Sequence, residues 1–171
     1  MKNIVLIGMP GTGKSTVGVI LAKRLGYDFI DTDLLIIKRA GKTLPEILRE
    51  AGIEGLLEIE NLVGASLKCE KSVIATGGSM VLCKGAMENL KSRGLAVWLD
   101  TELSELERRI GADLISRGIA ANPGETVADI YRARRPYYEK YADIHIRCSG
   151  NTDKVVSQVI SALTNSKAIG V

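Results

Sequence analysis

The sequence predicts an α/β fold in which a parallel sheet of five strands is flanked by helices. Two patterns predict it. Continuous apolar runs rich in β-branched residues alternate with segments of helical periodicity, and the first run leads into a glycine-rich loop. Such runs are typical of strands buried on both faces, and strands that alternate with helices pair in parallel through crossover helices. The chain of 171 residues suits one domain, which we expect to span residues 1–171.

The elements follow one another along the chain in this alternation. Strands are predicted at 2–8, 27–33, 72–78, 95–100 and 143–148. Helical spacing predicts helices that begin near 14 and end at Gly26, and others within 46–68, 102–110, 126–142 and 152–165. We expect Pro136 to break or kink its helix, and Thr152 or Asp153 to cap the last one.

Composition narrows the class of protein. The net charge is only +3 and 4% of residues are aromatic, so we expect no nucleic-acid partner. The three cysteines are odd in number and lack C-x-x-C spacing, which suggests neither a disulfide frame nor a zinc site. No membrane span or targeting segment is evident. We therefore expect a cytoplasmic monomer that acts on a small molecule.

One long segment, 111–125, lacks clear periodicity. A loop of this length in a compact domain is usually functional or mobile. Because it contains Arg117, we interpret it as a lid over a binding site; a disordered connection is the alternative.

The first loop predicts a phosphate-binding site. The stretch "GMPGTGKS", Gly8 to Ser15, matches the pattern G-x-x-x-x-G-K-[ST] between a strand and a helix. Glycines allow backbone N–H groups to face inward as an anion nest at a helix N-terminus. Lys14 would reach the β- and γ-phosphates and Ser15 would ligate Mg²⁺, which predicts ATP as the nucleotide.

Two acids follow the second strand. Asp31 and Asp33 are two residues apart, so in a strand they would point the same way, beside the phosphate loop. One of the two carboxylates could steady Mg²⁺ through water, and the other could take a proton from, or orient, an attacking hydroxyl. Capping of the next helix is the alternative. After the third strand, Gly77 and Gly78 would let a substrate approach the backbone closely, although a tight turn explains them nearly as well.

The remaining features favour a kinase. The N-K-x-D-type signature of GTPases is absent, and a mechanical ATPase would need more chain. Arginines stabilise the charge of a phosphoryl transition state. Among the late arginines, our candidates are Arg117 and one of the "RARRP" group.

Taken together, these motifs resemble those of the shikimate kinase family of small P-loop kinases. The resemblance rests on "GMPGTGKST", "DTD", "TGG", the lid arginine and "RRPYYEKYADI", in the family's order along the whole chain. It implies a three-layer P-loop kinase fold, Mg-ATP as donor and a hydroxyl of shikimate as acceptor. The residues so implicated are Gly11, Thr12, Gly13, Lys14, Ser15 and Thr16 for the phosphates, Ser15 and Asp31 for the metal, Arg109 near the adenine, Arg117 over the phosphates, and Asp33, Gly77, Gly78 and Arg134 for the acceptor. The resemblance also makes Asp33 the candidate base.

Three departures from the family pattern fall on the acceptor side and the lid. The family shows G-E-x-x-F-R-x-x-E, where this chain reads "GIEGLLEIE", so Leu57 replaces one of two arginines that would hold the carboxylate. A charge-assisted contact contributes about 1.5–3 kcal/mol, and its loss predicts roughly tenfold to over a hundredfold weaker binding unless another cation substitutes. In addition, Ser79 replaces a third glycine, and the lid reads "RGIA" from Arg117, where the family has R-P-L-L.

Two alternatives remain open. A kinase of the same family could act on another small hydroxy acid, because Leu57 would make the acceptor pocket less cationic and more apolar. A nucleotide acceptor is disfavoured, since only Arg49 and Lys68 are basic between residues 46 and 70. A nucleotide-binding switch without catalysis is the second alternative, and the presence of Asp31, Asp33 and Arg117 argues against it.

Overall fold

A computed structural model describes residues 2–166. Its five strands are β1 (Asn3–Ile7), β2 (Asp28–Asp31), β3 (Ser72–Ala75), β4 (Gly94–Thr101) and β5 (Ile144–Cys148). All neighbours are parallel, in the order β2-β3-β1-β4-β5. The predicted parallel α/β fold is therefore confirmed.

Seven helices connect and cover the strands in the described part of the chain. They are α1 (Lys14–Leu25), α2 (Thr32–Ala40), α3 (Leu44–Ser66), α4 (Lys84–Arg93), α5 (Leu103–Ile110), α6 (Val127–Tyr141) and α7 (Thr152–Asn165), with short 3₁₀ turns at Met80–Leu82 and Ile115–Arg117. The helices α2 and α4 were not predicted as separate elements. In α4 only Ala86, Met87 and Leu90 are buried, which gives too little periodicity to reveal a helix.

The sheet is the middle of three layers. Because side chains alternate across a strand, Ile4 and Leu6 of β1 pack with α1 and α7, whereas Val5 and Ile7 pack with the cluster that α4, α5 and α6 cover. All four residues are buried, as a strand with helices on both faces requires.

Two local predictions on the helices were wrong. Pro136 lies inside α6, which continues through it to Tyr141, so the predicted break does not occur. The cap of α7 is Asn151, whose side chain accepts a hydrogen bond from the Lys154 backbone N–H at 3.0 Å. Helix α3 is interrupted at Gly52, where φ is 68° and ψ is −170°.

The carboxyl ends of the parallel strands gather the loops that carry the candidate residues. The loop after β1, the start of α2 after β2, and residues 76–78 after β3 meet at this edge of the sheet. Ligands of open α/β folds bind at this edge. None of the helices within residues 2–166 combines the length and the apolar character needed to cross a membrane.

Candidate active site

A cavity of about 400 Å³ opens at the carboxyl edge of the sheet. Ten predicted site residues line it: Gly11, Gly13, Lys14, Ser15, Thr16, Asp33, Gly77, Gly78, Arg117 and Arg134. The structure therefore brings the phosphate loop and the candidate acceptor residues to one space. Thr12, Asp31 and Arg109 lie around the loop outside the wall of this cavity.

The phosphate loop has the backbone that an anion nest requires. Gly13 precedes α1 with φ 95°, a conformation that residues with a Cβ rarely adopt, and the first residues of the helix, Lys14 to Thr16, line the cavity. Lys14 is buried, and its ammonium donates to the carbonyl oxygens of Gly8 and Met9, both at 2.8 Å. Burial lowers the pKa of Lys14 to about 8, although Asp33 and Asp31 favour its charged form.

Ser15 and Asp31 lie side by side, as a shared cation site requires. The Ser15 hydroxyl donates to Asp31 Oδ2 at 2.6 Å. The other oxygen, Asp31 Oδ1, accepts from the Asp33 backbone N–H at 2.9 Å, so Asp31 is also the cap of α2. The two interpretations of Asp31 are thus compatible. Within residues 2–166, no group of three or more His, Cys, Asp or Glu side chains could hold a metal ion.

Asp33 reaches the cavity by a different geometry from the one predicted. The strand β2 ends at Asp31, and Asp33 lies in the first turn of α2, so the two acids do not share a strand face. Its Oδ1 is buried and has no hydrogen-bond partner among the described residues. Burial and, less strongly, Asp31 raise the pKa of Asp33, while Lys14 opposes them. The result is a carboxylate with a free oxygen and raised basicity.

The two glycines after β3 are needed because other groups occupy the space of their missing side chains. A Cβ on Gly77 would lie 2.7 Å from Glu60 Oε1 and 2.8 Å from Asp33 Oδ1. A Cβ on Gly78 would lie 2.5 Å from Pro10 Cδ, in the phosphate loop. The missing side chain of Gly77 therefore leaves space for two carboxylates, and that of Gly78 leaves space for the phosphate loop.

Two residues that line the cavity, Glu60 and Ser79, were given no functional role from the sequence, although Ser79 was noted as a departure from the family pattern. Glu60 is 3% exposed and lines the cavity, and the Ser79 hydroxyl donates to its Oε1 at 2.8 Å. Burial raises the pKa of Glu60 to about 7, against the effects of the Ser79 hydrogen bond and the Arg134 charge. A signal was present in the sequence, because Glu60 shares the buried face of α3 with Leu56 and Val63 at helical spacing.

Arg134 links α6 to the segment predicted as a lid. It is 4% exposed, and its guanidinium donates to the Ala120 carbonyl oxygen at 2.5 Å. Arg117 ends the 3₁₀ turn of that segment and lines the cavity with the three residues that follow it. Segment 111–125 thus forms one wall of the site.

A second cavity, of about 460 Å³, lies on the other side of the phosphate loop. Thr12, Arg109, Thr101 and Ser149 are among its lining residues. Arg109 donates to the carbonyl oxygens of Gly11 at 3.0 Å and Thr12 at 3.4 Å, so it lies against the loop. This space has the size and position to receive the base of a nucleotide bound by the loop.

Leu57 packs against the core instead of lining the cavity. It contacts the cluster between the sheet and α4 to α6. The prediction that Leu57 makes the cavity more apolar was wrong, because Leu57 is not among the residues that line the cavity, whereas the polar residues Glu60 and Ser79 are.

Comparisons with known proteins agree with this geometry. The sequence model described as shikimate kinase matches residues 10–164. A shikimate kinase from Synechococcus sp. is 38% identical over 92% of this chain and 82% of its own length. Threonine synthase-like 1 from Macaca fascicularis is 34% identical over 95% of this chain, which matches 22% of that protein.

A comparison with solved structures also finds shikimate kinases. A structure described as shikimate kinase from Acinetobacter baumannii in complex with shikimate has a TM-score of 0.83 and 27% identity, over 98% of this chain and 95% of that one. The chain belongs to the shikimate kinase family and is a phosphotransferase that acts on a hydroxyl group.

Proposed function

We propose that this chain transfers the γ-phosphate of Mg²⁺-bound ATP to a hydroxyl of shikimate. The observation that carries the proposal is the position of Asp33. Asp33 lines the cavity, which Lys14 and Ser15 line from the donor side and Arg134 from the acceptor side, and its buried Oδ1 has no hydrogen-bond partner among the described residues. A base between a phosphate-binding loop and a buried cation suits phosphorylation of an anionic alcohol.

The donor half supports a nucleoside triphosphate. The N–H groups at the start of α1 would bind phosphate oxygens, and Lys14 would exchange its two carbonyl partners for them. Arg117 would add positive charge from the lid. The second cavity, with Arg109 on its wall, would hold the base.

The donor set also suits Mg²⁺. One hydroxyl and one carboxylate, Ser15 and Asp31, are few ligands for a resident metal. Mg²⁺ retains several waters and takes phosphate oxygens, so it needs few ligands from the protein. When bound, it would neutralise charge on the transferred group.

On the acceptor side, Arg134 would pair with the carboxylate of shikimate and so orient its ring. Asp33 would then take the proton of the attacking hydroxyl as that oxygen bonds to the γ-phosphorus and the bond to ADP breaks. The raised pKa of Asp33 strengthens it as a base. Closure of segment 111–125 over the site would exclude water as a competing acceptor.

A second candidate, another small hydroxy acid as acceptor, is favoured by Leu57, because only Arg134 among the predicted acceptor residues is cationic. The test is coupled ADP release with Mg-ATP, with and without shikimate over a wide concentration range. Saturable turnover that depends on shikimate supports the proposal. Binding of ATP without turnover at millimolar shikimate would refute shikimate as the acceptor and direct the screen to other hydroxy acids.

A further inference from the structure

The cavity contains two buried opposite charges that do not pair. Glu60 of α3 and Arg134 of α6 are 3% and 4% exposed, and both line the wall. Arg134 is near enough for its charge to lower the pKa of Glu60. Buried charges usually pair directly, because each is costly without a counter-charge. Yet these two form no ion pair with each other in the described structure, where each has a neutral partner.

Ser79 supplies the neutral partner of Glu60. Its hydroxyl, itself 5% exposed, donates to Glu60 Oε1 at 2.8 Å. Arg134 is held on its own side by the Ala120 carbonyl oxygen. A glycine, which the family pattern has at position 79, has no side chain to donate this bond.

The other groups that face Glu60 do not fix its carboxylate as Ser79 does. The Cys83 thiol lies 3.9 Å from Oε2, a long contact with a weak donor. Asp33 is a like charge and raises the pKa of Glu60. The Tyr138 hydroxyl donates to the Gly78 carbonyl oxygen at 2.6 Å and is thus already occupied. Ser79 is therefore the strong hydrogen-bond donor that orients Glu60 in the described part of the chain.

We propose that Ser79 is a positioning residue that keeps Glu60 from pairing with Arg134, and so keeps the Arg134 guanidinium available to the anionic group of the acceptor. This inference rests on the proposed function in assigning Arg134 to the acceptor. Without the Ser79 hydroxyl, Glu60 would turn to the guanidinium and form a buried ion pair. The acceptor's carboxylate would then have to displace Glu60 before it could bind.

Kinetics of a double-mutant cycle test the competition. We expect Ser79→Ala to raise the acceptor KM about tenfold or more, the effect of one charge-assisted bond, with an unchanged KM for ATP. Glu60→Gln in the Ser79→Ala background should reverse most of that increase, because a neutral amide does not compete for Arg134. Ser79→Thr, which retains the hydroxyl, should stay near the wild type. Failure of Glu60→Gln to reverse the increase would refute the proposal.

A matched control is available in Ser72, which is also buried but lies at the opposite end of β3. Its hydroxyl donates to the Glu70 carbonyl oxygen at 2.9 Å, away from the cavity. Ser72→Ala should leave the acceptor KM unchanged. An equal rise in this variant would mean that loss of any buried serine hydroxyl loosens the site, and would overturn a specific role for Ser79.

A second measurement does not depend on turnover or on the identity of the acceptor. Titration of ¹³C-labelled glutamate carboxyls by NMR, with Glu60→Gln to assign the signal, reports the pKa of Glu60 in the ligand-free protein. If Ser79→Ala lets Glu60 pair with Arg134, this pKa falls below its wild-type value, because the opposite charge favours the ionised form. If Ser79 only donates a hydrogen bond, its loss raises the pKa, and the proposal is refuted. Failure of shikimate turnover in the wild type would refute the proposed acceptor alone and leave this readout intact.

Discussion

Gly78 provides the sharpest test of how the donor and acceptor halves of the site are connected. The substitution Gly78→Ala would place a Cβ 2.5 Å from Pro10 Cδ, 2.7 Å from Cγ and 2.9 Å from the Pro10 nitrogen. Carbon atoms in contact normally lie about 3.5–4.0 Å apart. The phosphate loop therefore has to move, because the clash involves its backbone and the ring of a proline.

The expected cost follows from this displacement. Overpacking of a tight site costs about 1–3 kcal/mol, and for a chain of this size each kcal/mol lowers Tm by about 2–4 °C. We expect Gly78→Ala to lower Tm by roughly 2–12 °C. We also expect kcat/KM for ATP to fall by about tenfold to a hundredfold, since a shift near 1 Å at a reacting site has effects of this order.

Gly77→Ala is the matched comparison. Its Cβ would meet the ends of two side chains, Glu60 and Asp33, and not the phosphate loop. This variant should impair kcat and the acceptor KM while ADP still binds as it does to the wild type. The measurements are thermal unfolding, calorimetric titration with Mg-ADP, and steady-state kinetics in both substrates. Normal ADP affinity in Gly78→Ala, with a defect confined to the acceptor, would refute the argument.

Three further predictions address the other groups of the cavity. Asp33→Asn should lower kcat by about a hundredfold to ten-thousandfold, the range for loss of a general base, with little change in Mg-ADP affinity by calorimetry. Arg134→Met should raise the acceptor KM by roughly tenfold to over a hundredfold, while KM for ATP stays constant in steady-state assays. The free energy of unfolding should fall as pH rises, because Glu60 becomes ionised in a buried position. Its pKa is 4.5 when unfolded and about 7 when folded, so its favourable contribution is complete below 4.5 and is lost by about pH 7. The difference in unfolding free energy between wild type and Glu60→Gln should change by up to about 3 kcal/mol between pH 4 and pH 8.

Each of these three predictions can be refuted by a specific result. A kcat within tenfold of wild type in Asp33→Asn would exclude Asp33 as the base. An equal rise of both KM values in Arg134→Met would mean that loss of its bond to the Ala120 carbonyl oxygen disturbs the whole site. Parallel pH profiles of stability for the wild type and Glu60→Gln would show that Glu60 has an ordinary pKa in the folded protein.

The fold could be predicted from the sequence because the three central strands, β1, β3 and β4, are buried on both faces and leave continuous apolar runs. The phosphate loop could be predicted because its function depends on the shape of its backbone, and that shape follows from the spacing of glycines within one short stretch of sequence. Helix α4 could not, since few of its residues are apolar. The environment of Asp33 also could not, because it depends on where α2 begins relative to β2, a boundary set by the cap of Asp31.

The acceptor half is harder to predict for a physical reason that Glu60 illustrates. Its position on the buried face of α3 is visible in the sequence, but its partner Ser79 is nineteen residues away and comes from the turn after β3. Local patterns report which residues are buried, whereas the pairing of buried polar groups depends on the packing of separate elements. Leu57 shows the same limit, because its effect on the cavity depends on whether it faces the wall or the core.

These contacts explain how the acceptor side can change while the donor side stays intact. On the proposed function, the phosphate loop would hold its ligands mainly through backbone N–H groups, so its function would survive most changes elsewhere. The acceptor side would rely on charged side chains that line the cavity, with Asp33 and Glu60 as acids and Arg134 as the cation. This chain lacks the second arginine of the family pattern. If Glu60 were fully ionised, Asp33 and Glu60 would carry two negative charges against the one positive charge of Arg134, and these three residues together would repel an anionic acceptor. A Glu60 pKa near 7 makes part of that carboxyl neutral at physiological pH and reduces the repulsion. The acceptor should therefore bind more weakly above pH 7 than below it, and Glu60→Gln should reduce that dependence. The part that comes from loss of the Lys14 charge, whose pKa is about 8, should remain in the variant.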